Sequence, residues 1–295
     1  MSCIMTFMEI NKKNSISAII LTYNEELNIE NCLKSISDWA NEIIIVDCFS
    51  IDKTLDIVRK YTDRIYQHPF VDYAQQFNWA LDNVDIKGEW VMKLDADERI
   101  PVELWREIAR VLPNVPTEVN GFYIKRRVYF MGKWIKHGGY YPTWILRLWR
   151  KGFGRLEQRQ MDEHTILSSG KTLKLKNDFF EENKKNLTTW IDKHNKYAAR
   201  EIDSIMKPLG DLVSPSLSGS PVERKRWFKE RFYLRLPLFC RAFLYFIYRY
   251  FFRLGFLDGK QGLIFHFLQG CWYRFLVDAK LYEARKARVE KAGKI

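Results

Sequence analysis

Three short and almost wholly apolar runs alternate with amphipathic segments in the first hundred residues of this 295-residue chain. The runs occupy residues 16–21, 42–46 and 90–94. Strands that are apolar along their length are buried on both faces, and intervening helices cover those faces. The pattern therefore predicts an α/β fold with a mostly parallel central sheet.

Each apolar run stops abruptly at a polar residue: Thr22 after the first, Asp47 after the second and Asp95 after the third. Because the carboxyl ends of parallel strands meet at one edge of a sheet, ligands of such folds bind just beyond that edge. We therefore expect these three side chains to border one site.

The third run leads into an Asp-x-Asp pattern formed by Asp95 and Asp97. Residues two apart in a strand face the same side, and two neighbouring carboxylates repel unless a positive charge lies between them. Hard oxygen ligands suit Mg²⁺ or Mn²⁺, ions that also bind diphosphate oxygens. The pattern favours a metal-diphosphate site, and a solvated acidic turn is the alternative.

The five cysteines are odd in number and scattered, with no Cys-x-x-Cys pair among Cys3, Cys32, Cys48, Cys240 and Cys271. This spacing indicates neither a disulfide framework nor a zinc site. The amino terminus has no basic segment leading into an apolar stretch with a small-residue cleavage site. We therefore expect a protein of the reducing cytoplasm.

The net charge of +12 is concentrated at the carboxyl end, where residues 221–295 hold seventeen Lys and Arg against six Asp and Glu, a balance of +11. Between residues 227 and 257 aromatic and Leu residues alternate with arginines, and no window approaches the ~20 apolar residues of a spanning helix. This composition predicts an interfacial helix pair on an anionic membrane surface. A helical hairpin packed on the catalytic domain is the alternative.

These observations divide the chain into a catalytic domain at residues 1–206, a Pro-, Ser- and Gly-containing linker at 207–221 and a basic helical extension at 222–295. On the predicted helix before the linker, Trp190, His194 and Tyr197 recur at helical spacing. This stripe either lines a binding site or packs on the sheet, and packing is favoured.

The ordered segments Leu-Thr-Tyr-Asn-Glu at 21–25, Val-Asp-Cys-Phe-Ser-Ile-Asp-Lys-Thr at 46–54 and Leu-Asp-Ala-Asp at 94–97 resemble family 2 glycosyltransferases of the GT-A fold. The resemblance covers residues 16 to about 165, and later stretches look like bacterial lipopolysaccharide-core and other cell-surface glycan transferases. It implies a Rossmann-like nucleotide-diphospho-sugar transferase fold with a C-terminal amphipathic helical extension.

The resemblance also implies roles for individual residues. Asp97 and Asp95 would hold the metal, with Asp95 also near the donor's ribose, and Asp47 would accept a hydrogen bond from the imide N–H of uracil. Around residue 76 many family members carry a cation that this chain lacks. The full set of implied donor-binding residues is Thr22, Tyr23, Glu25, Asp47, Gln76, Asn78, Lys93 and Asp95.

A second acidic cluster, at residues 161–164, matches the place where the family carries the base that deprotonates the acceptor hydroxyl. Direct displacement needs this base on the face opposite the leaving diphosphate. Glu163 is slightly favoured over Asp162. His164 is either a further metal or phosphate ligand or a plain hydrogen-bonding residue.

Together these features imply an inverting, Mg²⁺- or Mn²⁺-dependent transferase that moves a sugar from a nucleotide-sugar donor, a UDP-sugar, to a lipid-linked or lipopolysaccharide-type acceptor. Its expected place is peripheral, on the inner face of the cytoplasmic membrane. A nucleotidyltransferase would usually open with a Gly-rich phosphate loop, and residues 21–27 contain no Gly. A nucleic-acid-binding protein would explain the basic tail but not the catalytic motifs, so no nucleic-acid partner is expected.

Overall fold

The computed structural model describes residues 15–158, 163–206, 218, 223–224, 227–228 and 231–292. These residues form two compact units. The first unit comprises 15–132, 142–158 and 163–184, and the second comprises 133–141 together with the described residues from 185 onward. The predicted linker at 207–221 lies outside the described residues, apart from Ser218.

The first unit is built on one large sheet with helices on its faces. In chain order the strands are β1 (Ile16–Thr22), β2 (Glu42–Asp47), β3 (Ile65–Gln67), β4 (Trp90–Asp95), β5 (Glu98–Arg99), β6 (Val119–Phe130), β7 (Lys133–Ile135, in the second unit), β8 (Thr143–Arg150), β9 (Gly154–Leu156), β10 (Thr165–Leu167) and β11 (Lys171–Glu182). The strands of the large sheet follow the order β3-β2-β1-β4-β8-β6-β11-β5, and β9 pairs with β10 separately.

Four of the seven pairings along this order are parallel, namely β1 with β2, β1 with β4, β2 with β3, and β6 with β11. The other three, β4 with β8, β6 with β8, and β5 with β11, are antiparallel. In register, Thr22 lies opposite Asp47, and Leu21 lies opposite Asp95. The predicted α/β fold with its mostly parallel sheet is confirmed, and the three polar strand ends share one edge.

Helices α1 (Ile29–Lys34), α2 (Thr54–Val58), α3 (Tyr73–Asn83) and α4 (Val102–Val111) belong to this unit. The side chains of β1 alternate between two cores, so that Ile20 packs in the core containing α1 and α4 while Ile19 packs in the core containing α3. Both isoleucines are fully buried, and each such burial stabilises the fold by roughly 1.5–3 kcal/mol.

The second unit is helical. It contains α5 (Leu187–Met206), α6 (Cys240–Ile247) extended by a π-helical turn to Phe252, a 3₁₀ turn at Gly255–Asp258, α7 (Gly259–His266) extended by a π-helical segment to Trp272, and α8 (Tyr273–Ala292). No helix among the described residues is long and apolar enough to cross a bilayer.

Helix α5, assigned to the catalytic domain from sequence, groups with the C-terminal helices. Its residues Ala198 and Ile202 pack against Tyr273, Val277 and Leu281 of α8. The stripe predicted on α5 also faces this way, since the ring of His194 lies 3.5 Å from that of Trp190 and 5.5 Å from that of Tyr273. The stripe therefore packs on a helix, where the sequence favoured the sheet.

Candidate functional site

The ends of β1 and β2 are joined by a buried hydrogen bond, in which the Thr22 hydroxyl donates to Asp47 Oδ1 at 2.8 Å. Asp47 is fully buried and also accepts from the backbone N–H and the hydroxyl of Ser50, at 2.8 and 2.5 Å. Its carboxylate thereby fixes the loop that follows β2. A carboxylate has about four acceptor positions, so one remains beside the three that these hydrogen bonds use.

Further hydrogen bonds join the loop after β1 to the loop after β2. The backbone N–H of Asn24 donates to Ser50 Oγ at 2.9 Å, and the N–H of Ile51 donates back to Asn24 Oδ1 at 2.9 Å. The N–H of Glu25 donates to Thr54 Oγ1 at 2.7 Å, and the hydroxyl of Thr54 is itself bound to Asp52. Both loops are therefore held in shape by the protein itself.

A chain of hydrogen bonds links the loop after β1 to the acids after β4. The Asn28 amide donates to the Glu25 carboxylate at 2.7 Å and lies 3.4 Å from Asn183 Oδ1. Asn183 in turn donates to Asp97 Oδ2 at 3.0 Å. Two predicted site residues, Glu25 and Asp97, are thus brought to one place. Asn28 and Asn183 are site residues that the sequence analysis missed, because nothing local distinguishes a single Asn from a helix cap.

Asp95 belongs to a buried network with two partners that the sequence analysis also missed. The Tyr73 hydroxyl donates to Asp95 Oδ1, and Arg147 donates to Asp95 Oδ2 at 3.1 Å. Arg147 also bonds the carboxylate of Glu98, which accepts from the backbone N–H of Asp95 at 3.0 Å. A positive charge from the protein therefore lies between Asp95 and Glu98, and the metal predicted between Asp95 and Asp97 stays a prediction.

Burial controls the protonation of this network. It raises the pKa of Glu98 well above its usual value, against the opposing effect of Arg147. Burial also raises the pKa of the Tyr73 hydroxyl, and Asp95 adds to the effect. For Arg147 burial lowers the pKa, but Glu98 and Asp95 outweigh it, so the net shift is upward. Arg147 therefore stays charged.

The arginine between Leu146 and Leu148 in the apolar part of β8 was the available signal for this network, because a buried cation requires an acidic partner.

Lys93, half-buried on β4, places its ammonium 4.4 Å from the centre of the Tyr73 ring. Burial and Arg147 lower its pKa, while Asp95, Glu98 and Glu163 act in the opposite direction. Glu163 is therefore close enough to Lys93 to favour its charged form. His164 is half-buried and its carbonyl accepts from the Glu157 N–H at 2.9 Å. The alternative base, Asp162, lies outside the described residues.

Two predicted donor-binding amides bond the protein itself. Gln76 is buried and contacts His68 through both of its amide atoms. Asn78 makes a reciprocal pair of bonds with the backbone of Leu156, at 2.8 and 2.9 Å. These contacts favour structural roles, and donor contact by either amide stays a prediction. Tyr23, by contrast, is 57% exposed.

The donor atoms at the β4 edge are carboxylate oxygens, which fit a hard divalent cation. Among the described residues, no three His, Cys, Asp or Glu side chains are grouped so that they alone could hold a metal ion. Magnesium is commonly held by one or two carboxylates together with substrate phosphates. Asp97 and Asp95 fit that arrangement.

Comparison with known proteins gives the following relations. The family model described as glycosyl transferase family 2 matches residues 17–182. The lipopolysaccharide core biosynthesis glycosyltransferase LpsC of Rhizobium meliloti (strain 1021) is 31% identical over 290 residues, covering 94% of this chain and 96% of that protein. An uncharacterized glycosyltransferase of Rickettsia bellii (strain RML369-C) is 37% identical over 93 residues, which cover 32% of this chain and 31% of the relative.

Two solved structures are similar to parts or most of the chain. Glucosyl-3-phosphoglycerate synthase from Mycobacterium tuberculosis, in complex with Mg²⁺ and uridine diphosphate, aligns over 44% of this chain and 48% of its own, with 18% identity and a TM-score of 0.33. S. aureus TarS 1-349 aligns over 92% of each chain, with 16% identity and a TM-score of 0.44.

The family match spans more than half of the chain and includes all the strands of the large sheet. The polar ends of β1, β2 and β4, which carried the sequence resemblance, share one edge of that sheet. The architecture is the predicted GT-A fold. The chain belongs to family 2 of the glycosyltransferases, and it is an enzyme of that family.

Proposed function

We propose that this enzyme transfers a sugar, with inversion, from a UDP-sugar to a lipid-linked or lipopolysaccharide-type glycan. The observation that carries the proposal is the hydrogen-bonded chain from Glu25 through Asn28 and Asn183 to Asp97. It joins the loop expected to hold the nucleoside to the carboxylate expected to serve the diphosphate. A donor that spans both parts would be a nucleoside diphosphate carrying a sugar.

The nucleoside would bind at the edge formed by Thr22, Tyr23 and Asp47. The exposed Tyr23 ring can stack on a base, and stacking of this kind contributes about 1–3 kcal/mol. Selection of uracil would rest on the remaining acceptor position of Asp47, because the uracil imide is a hydrogen-bond donor.

The diphosphate would lie beyond β4, next to Asp97 and Asp95. Mg²⁺ or Mn²⁺ held by these two carboxylates would neutralise the charge that develops on the leaving diphosphate. Arg147 holds Asp95 in place and pairs with the buried carboxyl group of Glu98. Half-buried Lys93, on the same strand as Asp95, would contact a phosphate or the sugar.

Proton removal from the acceptor is assigned to Glu163, with Asp162 as the alternative. An attacking hydroxyl must approach opposite the departing diphosphate, so the base comes from a segment other than the β4 edge. His164, adjacent to the base, would contact phosphate or metal. The product would be β-linked when the donor is α-linked.

The acceptor assignment is supported by the similarity to LpsC, which extends over nearly the whole chain. The second unit supports a membrane-surface location, because exposed aromatic rings accompany its excess of basic residues. We place the enzyme on the inner face of the cytoplasmic membrane. Catalytic motifs of a glycosyltransferase leave no reason to assign nucleic acid as its partner.

The test is a screen of UDP-sugars for hydrolysis and transfer with Mn²⁺ or Mg²⁺, using the wild type and Asp97→Ala. Loss of the metal carboxylate should lower kcat by about a hundredfold to a thousandfold, since metal stabilisation of the leaving group contributes several kcal/mol. Asp82→Ala is the control, because Asp82 is an exposed acid on α3 that pairs with Arg155 of β9. Full activity of Asp97→Ala, or no activity with any nucleotide sugar, would contradict the proposal.

A further inference from the structure

The turn between α6 and α7 carries an unusual density of exposed apolar side chains. Residues 251–257, here called the tip, include five large hydrophobic residues that are each at least 44% exposed: Phe251, Phe252, Leu254, Phe256 and Leu257. Phe252 is the most exposed of them, at 75%. Leu254 adopts a positive φ of 59°, a conformation that L-residues seldom adopt. The ring of Tyr250 contacts those of Phe251 and Phe256, and all five side chains remain exposed.

Two arginines converge beside this tip. The Nη2 atoms of Arg249 and Arg253 lie 3.8 and 3.7 Å from the point where a β-carbon of Gly139 would stand, and Arg253 Nε lies 3.5 Å from it. Gly139 has a φ of +74°. Because glycine has no side chain, both guanidinium groups lie next to the position that a side chain would occupy at residue 139. Among the described residues neither arginine forms an ion pair.

The tip and the Gly138-Gly139 loop form one piece. The N–H of Gly138 donates to the carbonyl of Arg253 at 2.8 Å, and Arg249 Nε donates to the carbonyl of Gly138 at 2.6 Å. Asp258, the residue that follows the tip, accepts a hydrogen bond from the backbone N–H of His137 at 2.9 Å. The guanidinium of Arg249 also lies 3.9 Å from the centre of the Tyr140 ring. The guanidinium of Arg249 and the backbone of Arg253 are therefore held in place.

We propose that Arg249, Arg253 and Gly139 bind the phosphate of a membrane lipid while the tip residues Phe251, Phe252 and Leu254 enter the headgroup region. Guanidinium groups bind phosphate through paired hydrogen bonds. Two guanidinium groups beside a glycine can therefore donate to several oxygens of one phosphate group. The net charge of +11 in residues 221–295 complements an anionic bilayer. This inference rests on the membrane location proposed above and identifies the segment that makes the contact.

The experiment is flotation of the full chain with vesicles of phosphatidylethanolamine and phosphatidylglycerol. Arg253→Gln should lower the partition coefficient about fivefold, since a basic residue at the surface contributes about 1 kcal/mol. Phe252→Ser should lower it about tenfold through lost apolar burial. The controls are Arg285→Gln and Val289→Ser, which change exposed residues of α8 in the same way and should each alter partition less than about twofold.

Equal losses for Arg253→Gln and Arg285→Gln would overturn the proposal, because they would indicate a diffuse charge effect. So would displacement of the wild type by inorganic phosphate at matched ionic strength, which would indicate a site for free phosphate, or binding to RNA with no binding to vesicles.

Hydrolysis of UDP-sugar without vesicles should be the same for Arg253→Gln and wild type, and a loss would place Arg253 in the catalytic site instead. If no donor is hydrolysed by any form but the vesicle pattern holds, the proposed reaction fails while the lipid site stands.

Discussion

Arg147 and Arg253 show two opposite uses of the same side chain. Arg147 is 3% exposed and pairs with Asp95 and Glu98 at the edge of the sheet. Arg253 is exposed at the tip, among apolar rings, and forms no ion pair within the described part of the chain. The first arginine completes a charge network inside the protein, whereas the second offers its charge to an external anion.

The difference indicates where each unit obtains its stability. A buried charge whose partner is removed keeps its desolvation cost and loses its compensation. An exposed charge without a partner keeps its hydration and costs little. Substitution of Arg147 should therefore mainly lower the free energy of unfolding. Substitution of Arg253 should mainly weaken binding to the external anion.

The largest expected effect is that of Arg147→Met, which leaves Glu98 and Asp95 without their cation. We expect a loss of about 3–5 kcal/mol in the free energy of unfolding, measured by urea denaturation. Arg155→Met is the control, since its pair with Asp82 is half-exposed and should contribute less than about 1 kcal/mol. Similar small losses in the two variants would show that the buried network is not what holds this edge.

A smaller effect should separate two glycines of the second unit with nearly equal backbone angles. Gly138 and Gly259 have φ values of +66° and +71°. A β-carbon on Gly138 would lie 2.0 Å from Cε1 of His266, whereas a β-carbon on Gly259 would have no atom within 4 Å. Gly138→Ala should therefore cost about 1–3 kcal/mol more than Gly259→Ala in urea unfolding. Equal costs would mean that the loop carrying Gly138 moves easily away from the helices.

The third prediction concerns pH. Burial and Arg249 lower the pKa of His266 from its usual 6.5 to about 4, against the opposing effect of Asp258. The unfolded chain takes up a proton near pH 6.5 while the folded chain resists it, so this contribution to stability is present above pH 6.5 and is lost as the pH falls towards 4. Between pH 7 and pH 5 the loss should be about 2 kcal/mol.

The measurement is urea unfolding at the two pH values for wild type and His266→Gln. The variant should lack this part of the pH dependence. An unchanged pH dependence in the variant would contradict this assignment to His266.

The smallest effect is expected for Arg253→Gln, which should change the free energy of unfolding by no more than about 0.5 kcal/mol. Together with its loss of vesicle binding, this result would sharpen the contrast with Arg147. The free energy of unfolding is again measured by urea denaturation. A large loss of stability would instead show that Arg253 belongs to a charge network of its own.

Much of the first unit follows from its sequence. Strands β1, β2 and β4 are nearly continuous apolar runs, and such runs identify buried parallel strands with little dependence on distant residues. Their polar ends at Thr22, Asp47 and Asp95 could be placed on one edge for the same reason. The predicted metal, nucleoside and base roles of these and the neighbouring residues stay predictions.

The networks around those ends could not be predicted, because they depend on distant pairings. Arg147 reaches Glu98 only because β8 lies antiparallel beside β4, and nothing local in either strand specifies that neighbour. Asn183 meets Asp97 across 86 residues of sequence. The packing of α5 on α8 was missed for a related reason, since an amphipathic helix shows which face is buried but not against which element.

The hydrogen bonds between the loops after β1 and β2 have a thermodynamic consequence for the proposed donor binding. Asn24, Ser50 and Ile51 already order one another, and Thr54 orders Glu25, so the nucleoside proposed to bind here would not have to arrange them. This half of the enzyme is preorganised. Calorimetry of UDP binding should therefore show a heat-capacity change no larger than the buried area of the nucleotide itself requires.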